Sequence, residues 1–188
     1  MKRLPPVNRA VVRAVAACLA VGAVLAYVVV SLWPVAEAGA SATAKPVDAQ
    51  PMTVLQVLSG DSLLLSSELP GSQVRDRGTI SVKLLSIDSP NYGIVPECYA
   101  VEAKGRLEEL LPVGSIAWVA TDTVAQDEAG RWLMNVWAPD GRYVNYLLAV
   151  DGFVRAEEMP PNDALWQPVM RAGSSAAARF GGLWGECR

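Results

Sequence analysis

The sequence predicts a small, mainly β barrel with about three helices, an α+β fold, carried behind one transmembrane helix. Three observations point there. An uncharged apolar stretch near the N-terminus is long enough to cross a bilayer. Behind it come five short, β-rich apolar runs separated by Gly, Pro, Asp and Ser. One amphipathic helical pattern falls after the third run, an order that suits a five-stranded Greek-key barrel of the OB type.

The N-terminal stretch runs from Ala14 to Trp33, twenty residues without a charge. As a helix rising about 1.5 Å per residue it spans the roughly 30 Å hydrocarbon core. Lys2, Arg3, Arg9 and Arg13 precede it, and no Lys or Arg follows until Lys45. Positive charge stays on the cytoplasmic side, so residues 1–13 form a cytoplasmic n-region and the rest of the chain lies outside the cell membrane, single-pass. The rival reading is a secretory signal, since "AEAGASA" (36–42) offers small-residue cleavage sites and cleavage releases a secreted protein. Residues 34–51 are small, Pro-containing and non-periodic, which reads as a flexible stalk before a domain at 52–188.

Within that domain, "MTVLQVLSGDSLLLSS" contains two strands hinged at Ser59-Gly60-Asp61, a turn-forming triplet. "TISVKLLSI" (79–87) is a third, central strand. "ECYAVEAKGRLEELL" (97–111) puts Tyr99, Ala103, Leu107 and Leu110 or Leu111 on one helical face, with Pro96 and Pro112 marking its ends. "SIAWVATD" (115–122) and "RWLMNVWA" (131–138) are further strands, with the acidic turn "AQDEAGR" (125–131) between them. "VNYLLAVDGFV" (144–154) reads as a short helix capped by Gly152, and 162–180 as a helix weakened by Pro168 and Gly173. Trp118, Trp132, Trp137, Trp166 and Trp184 read as core or helix-packing residues.

Beyond Lys45 there are eleven Lys and Arg against eighteen Asp and Glu, a net charge near −7. Nucleic-acid binders usually show a basic face, so this balance disfavours nucleic acid as a partner while leaving room for a local patch. No protein partner is named by any motif. The chain has no histidine, which excludes Ser-His and Cys-His catalysis and His-ligated zinc. Cys18 lies in the membrane segment, leaving Cys98 and Cys187 as a disulfide or as two free buried thiols, too few for a four-cysteine zinc site. Any metal must take oxygen ligands, and neither haem nor a nucleotide cofactor is expected.

The blocks "VLSGDSLLL", "VKLLSIDSP", "ECYAVEAKGRLEELL", "DEAGRWLMNVW", "GRYVNYLLAVDGFV" and "GLWGEC" together resemble the thermonuclease (staphylococcal-nuclease-like) family, over roughly residues 52–187. The resemblance implies an OB barrel with Ca²⁺-dependent phosphodiesterase chemistry on DNA and RNA. In that pattern two aspartates and the carbonyl of a hydroxyl residue hold Ca²⁺, a glutamate acts on the attacking water, and two arginines clamp the phosphate. Asp61, Asp88 and Ser89 match the metal positions, and Arg131 matches the second arginine. Cys98 and Cys187 resemble the paired cysteines of secreted members, one beside the helix-start Tyr and one after the C-terminal Trp, so the resemblance implies a Cys98–Cys187 disulfide.

Three positions depart from the pattern. The first arginine is Lys83, the glutamate is Asn91, and the acid usual two residues before Asp61 is Ser59. An ammonium cannot grip two phosphate oxygens as a guanidinium does, and losing one such contact typically costs about 10²–10³ in rate. An amide can orient water but not deprotonate it, which puts a further factor of roughly 10²–10⁴ at stake. Glu97 is the nearest candidate replacement base. Impaired phosphodiesterase chemistry in a binding or scaffolding module is therefore the favoured expectation, with a slow Ca²⁺-dependent nuclease as the alternative. The bland alternative is that Asp61 and Asp88 only cap turns and that Arg131 pairs with Asp127 or Glu128 at the surface.

Overall fold

A computed structural model of the chain describes residues 43–75 and 77–187. The expected n-region, membrane helix and most of the stalk, residues 1–42, lie outside the described residues. Among the described residues no helix is long and apolar enough to cross a membrane.

Five strands close into a barrel in the order β1 (Gln50–Ser59), β2 (Ser62–Ser67), β3 (Gly78–Leu84), β6 (Trp132–Trp137) and β5 (Ile116–Ala120), with β5 returning to β1. All neighbours are antiparallel except β3 and β6, which run parallel. This is an OB-like order, and it agrees with the barrel expected from sequence. Side chains alternate across each strand. Leu63 and Leu65 of β2, Val82 and Leu84 of β3, Val119 of β5, and Met134 and Val136 of β6 therefore point inward and are buried. The alternate positions Ser81 and Lys83 of β3 face outward, into a cleft.

Helix α1 (Ala100–Leu110) follows the third strand and buries Ala100, Ala103, Leu107 and Leu110, close to the expected face. Helix α2 (Val144–Val150) ends just before Gly152, whose φ of 80° suits glycine. Helix α3 (Trp166–Ala178) accommodates both suspected breakers. Pro168 sits in the first turn, where its missing N–H has no intrahelical acceptor. A Cβ at Gly173 would lie only 3.2 Å from that of Ala156, so the glycine allows close packing. A single-turn helix α4 (Leu183–Glu186) ends the described chain.

Several boundaries differ from expectation, among them the start of α3 at Trp166 instead of 162. The strand expected at 79–87 breaks after Leu84: Ser86 adopts φ 65°, and Ile87–Asp88 turn aside as β4 to pair with β7 (Arg155–Ala156). The first strand starts at Gln50, inside the segment expected to be stalk. Residues just before it lie against the barrel, with the Trp137 indole donating to the Thr43 carbonyl at 2.8 Å and Lys45 stacked 4.2 Å from the Trp118 ring centre. Tyr99 precedes α1 in a left-handed conformation instead of lying within the helix.

Cys98 and Cys187 form a disulfide, with Cα atoms 5.8 Å apart, that ties the start of α1 to the C-terminal end. It closes a loop of 89 residues. Removing it with Cys98→Ser plus Cys187→Ser is expected to cost about 2–4 kcal/mol, read as a lower urea midpoint in the oxidised comparison. An unchanged midpoint would show that the C-terminal helices hold without the link.

Candidate functional site

The two-residue turn Gly60-Asp61 joins β1 to β2, and it is pressed against α1. A Cβ on Gly60 would come within 2.7 Å of the Ala103 Cβ and 2.9 Å of the Ser89 Cβ, so only glycine fits this close approach. That packing fixes Asp61 beside the outward face of β3. The register pairs Ser62 with Lys83, and the Leu84 N–H donates to the Asp61 carbonyl at 2.8 Å. The break at Ser86 then brings Asp88 and Ser89 back toward the same place.

Six residues singled out from the sequence meet here. Asp61, Lys83, Asp88, Ser89, Asn91 and Arg131 line one cleft of about 430 Å³. Lys83, Asp88 and Arg131 also border an adjoining cleft of about 700 Å³, whose far wall carries Glu157 and Asn162. Asn162 is a buried polar residue of this wall that the sequence did not reveal. Its buried side chain receives the Val124 N–H at 2.7 Å and donates to the Val124 carbonyl at 3.0 Å, clasping two loops at the rim.

The chemistry is dominated by Asp61. Its Oδ1 accepts from the Ser59 hydroxyl at 2.8 Å and the Ser62 hydroxyl at 3.0 Å. Its Oδ2 accepts from the Ser89 N–H at 2.9 Å and from the Lys83 ammonium, in an ion pair. A carboxylate offers about four lone-pair directions, and here four donors fill them. Burial alone would raise the Asp61 pKa. The Lys83 charge, together with hydrogen bonds from Lys83, Ser89 and Ser59, overcomes burial and holds the carboxyl below its ordinary value. Lys83 and Asp61 side chains are only 11% and 7% exposed, so the pair is shielded from water. Asp88 is half exposed and its Oδ1 lies 3.5 Å from the Lys83 ammonium.

These residues, as arranged, do not fit the Ca²⁺ that the thermonuclease resemblance implies. Ca²⁺ takes about six to eight oxygen ligands. The acceptors that would face it on Asp61 are engaged by protein donors, and the Lys83 ammonium stands between Asp61 and Asp88. Asn91 lines the cleft, and its side chain brings an amide only. Glu97 is not among the lining residues: its carboxylate accepts the Asn91 backbone N–H at 2.9 Å, closing the 91–97 loop. Arg131 pairs with Asp127 through Nε at 2.7 Å, as the surface reading anticipated. It also borders both clefts, and among the described residues no hydrogen bond engages its two Nη groups.

No protein-family model matches the chain, and no curated protein sequence matches it. The geometry of the cleft is therefore the ground for a functional reading.

Proposed function

We propose that the chain is a membrane-tethered, extracytoplasmic domain of thermonuclease-like design whose phosphodiesterase step is impaired, and that it serves as a binding or scaffolding module. The observation that carries this reading is the commitment of Lys83. Its ammonium pairs with Asp61 and faces Asp88, so a phosphate has to compete with two carboxylates for it. Asn91 cannot take a proton from water, and Glu97 is held on a backbone amide outside the cleft. The acidic balance of the domain supports a protein partner over nucleic acid.

Purified full-length protein, incubated with single-stranded DNA or RNA, is expected to give no Ca²⁺-dependent cleavage above the chelator control. Lys83→Arg with Asn91→Glu restores the fork and the carboxylate, and is expected to raise cleavage at least about 10²-fold. Robust Ca²⁺-dependent cleavage by the unmodified chain, abolished by Asp61→Ala, would overturn the reading. It would instead favour a slow nuclease, the alternative supported by Asp61, Asp88 and Arg131 bordering one cleft.

A further inference from the structure

Two carboxylates facing one cleft repel each other and need a counter-charge. Here the fold brings one. Lys83 lies on the outward face of β3, five residues before Asp88, and the bend at Ser86 returns Asp88 toward it. The ammonium contacts Asp61 Oδ2 and stands 3.5 Å from Asp88 Oδ1. It is a compact charge with three donors and no acceptor. We propose that the Lys83 ammonium is the resident cation of this cleft, standing between Asp61 and Asp88 where a divalent metal would otherwise bind, so that the site is metal-independent by construction. The proposal rests on the arrangement of charges and donors, and holds whether or not the domain binds nucleic acid.

Two physical arguments carry it. The first is valence: with Ser59, Ser62, Ser89 and Lys83 all donating to Asp61, a metal gains that carboxylate only by displacing a bonded partner. The second is charge. A divalent ion entering beside the shielded ammonium meets a like charge, and expelling Lys83 from between its partners leaves the lysine seeking another counter-ion. The side chain that makes the two carboxylates compatible is the same one that keeps a metal out. The ligand left for the cleft is then one met by Arg131 and by polar rim groups such as Asn91, without a metal bridge.

The test is metal binding by the full-length chain, followed by titration calorimetry with CaCl₂ and by thermal unfolding in CaCl₂ against chelator. The unmodified protein is expected to give no binding heat and the same Tm in both. Lys83→Met leaves the carboxylates without their cation, so its Tm in chelator should fall by on the order of 10 °C. Millimolar CaCl₂ should return about 5 °C of that, with one binding site. Lys83→Gln, which can still donate to Asp61, covers the case in which the methionine variant does not fold, and should likewise become Ca²⁺-responsive. Saturable Ca²⁺ binding by the unmodified chain overturns the proposal, as does a folded Lys83→Met or Lys83→Gln variant indifferent to Ca²⁺. These outcomes are separable from the cleavage assay: Ca²⁺ binding without cleavage defeats only the resident-cation proposal, and metal-independent cleavage defeats only the impaired-module reading.

Discussion

Asp61→Ala is expected to lower the unfolding free energy by about 3–5 kcal/mol, measured by urea unfolding in the presence of chelator. The substitution removes little volume, and the loss comes from what stays behind. Lys83 keeps its charge at 11% side-chain exposure, with only the half-exposed Asp88 carboxylate 3.5 Å away. The Ser89 N–H loses its acceptor as well. Asp61→Asn offers little relief, because all four partners are donors and the amide nitrogen would face two of them. Removing both charges in Asp61→Ala with Lys83→Met should recover most of the loss, because a buried pair replaced by apolar groups is often neutral. A single variant within about 1 kcal/mol of the unmodified protein would mean that the ion pair contributes little.

The same pair fixes an acid sensitivity. The folded-state pKa of Asp61 is depressed below the ordinary 3.8. A group of this kind binds fewer protons folded than unfolded, so its contribution is complete above about pH 4 and is lost as pH falls through the lowered value. Asp127 and Asp140 are lowered too: for Asp127 the bonds from Arg131 outweigh burial, and for Asp140 hydrogen bonds from Arg142 lead. The difference in slope between the unmodified chain and Asp61→Ala isolates the part belonging to Asp61.

What could be read from the sequence follows from how far each signal reaches along the chain. Strand β2 carries period-two burial, with Leu63, Leu65 and Ser67 inward, and β5 alternates over Ala117 and Val119, whereas β3 and β6 end in continuous buried runs. All are apolar, β-rich runs bounded by turn residues and so are visible without tertiary information. Strands of two residues such as β4 and β7, and the single turn α4, are too short for any periodicity to show. The six site residues were singled out because they fall at matched or departing positions of the thermonuclease-like blocks, Lys83 within the third strand and the others at or beside turns. Their coupling was not. Lys83 and Asp61 are 22 positions apart, and the turn-rich connection from β2 to β3 leaves the register of Ser62 on Lys83 undetermined by sequence. Glu97 shows the converse, since proximity in sequence to Asn91 aimed it at a backbone amide instead of the cleft. Arg131 lies four residues after Asp127, close enough for their pairing to be anticipated.

Asn145→Leu should destabilise the protein by about 2–6 kcal/mol, from two backbone groups each left with an unmet bond at about 1–3 kcal/mol. Asn145 is fully buried in α2, on the same stripe as Leu148 and Ala149. A polar residue at an apolar position is the one signal in "VNYLLAV" that could have marked it. Its Nδ2 donates to the Leu85 carbonyl at 2.8 Å, and its Oδ1 accepts the Val136 N–H at 3.1 Å. Leucine matches the volume closely but supplies neither bond. The effect should reach beyond stability, because Leu85 is the last residue before the left-handed Ser86 that turns Asp88 and Ser89 into the cleft. With the Leu85 carbonyl released, only the Leu85 N–H bond to Met134 at 2.9 Å fastens that residue to β6. Amide hydrogen exchange should therefore accelerate at Leu85–Ser89 more than in β5, which Asn145 does not bond. A loss under about 1 kcal/mol, or exchange that rises equally across the barrel, would show that the corner is held by packing of Ile87 and Leu85 and not by this asparagine.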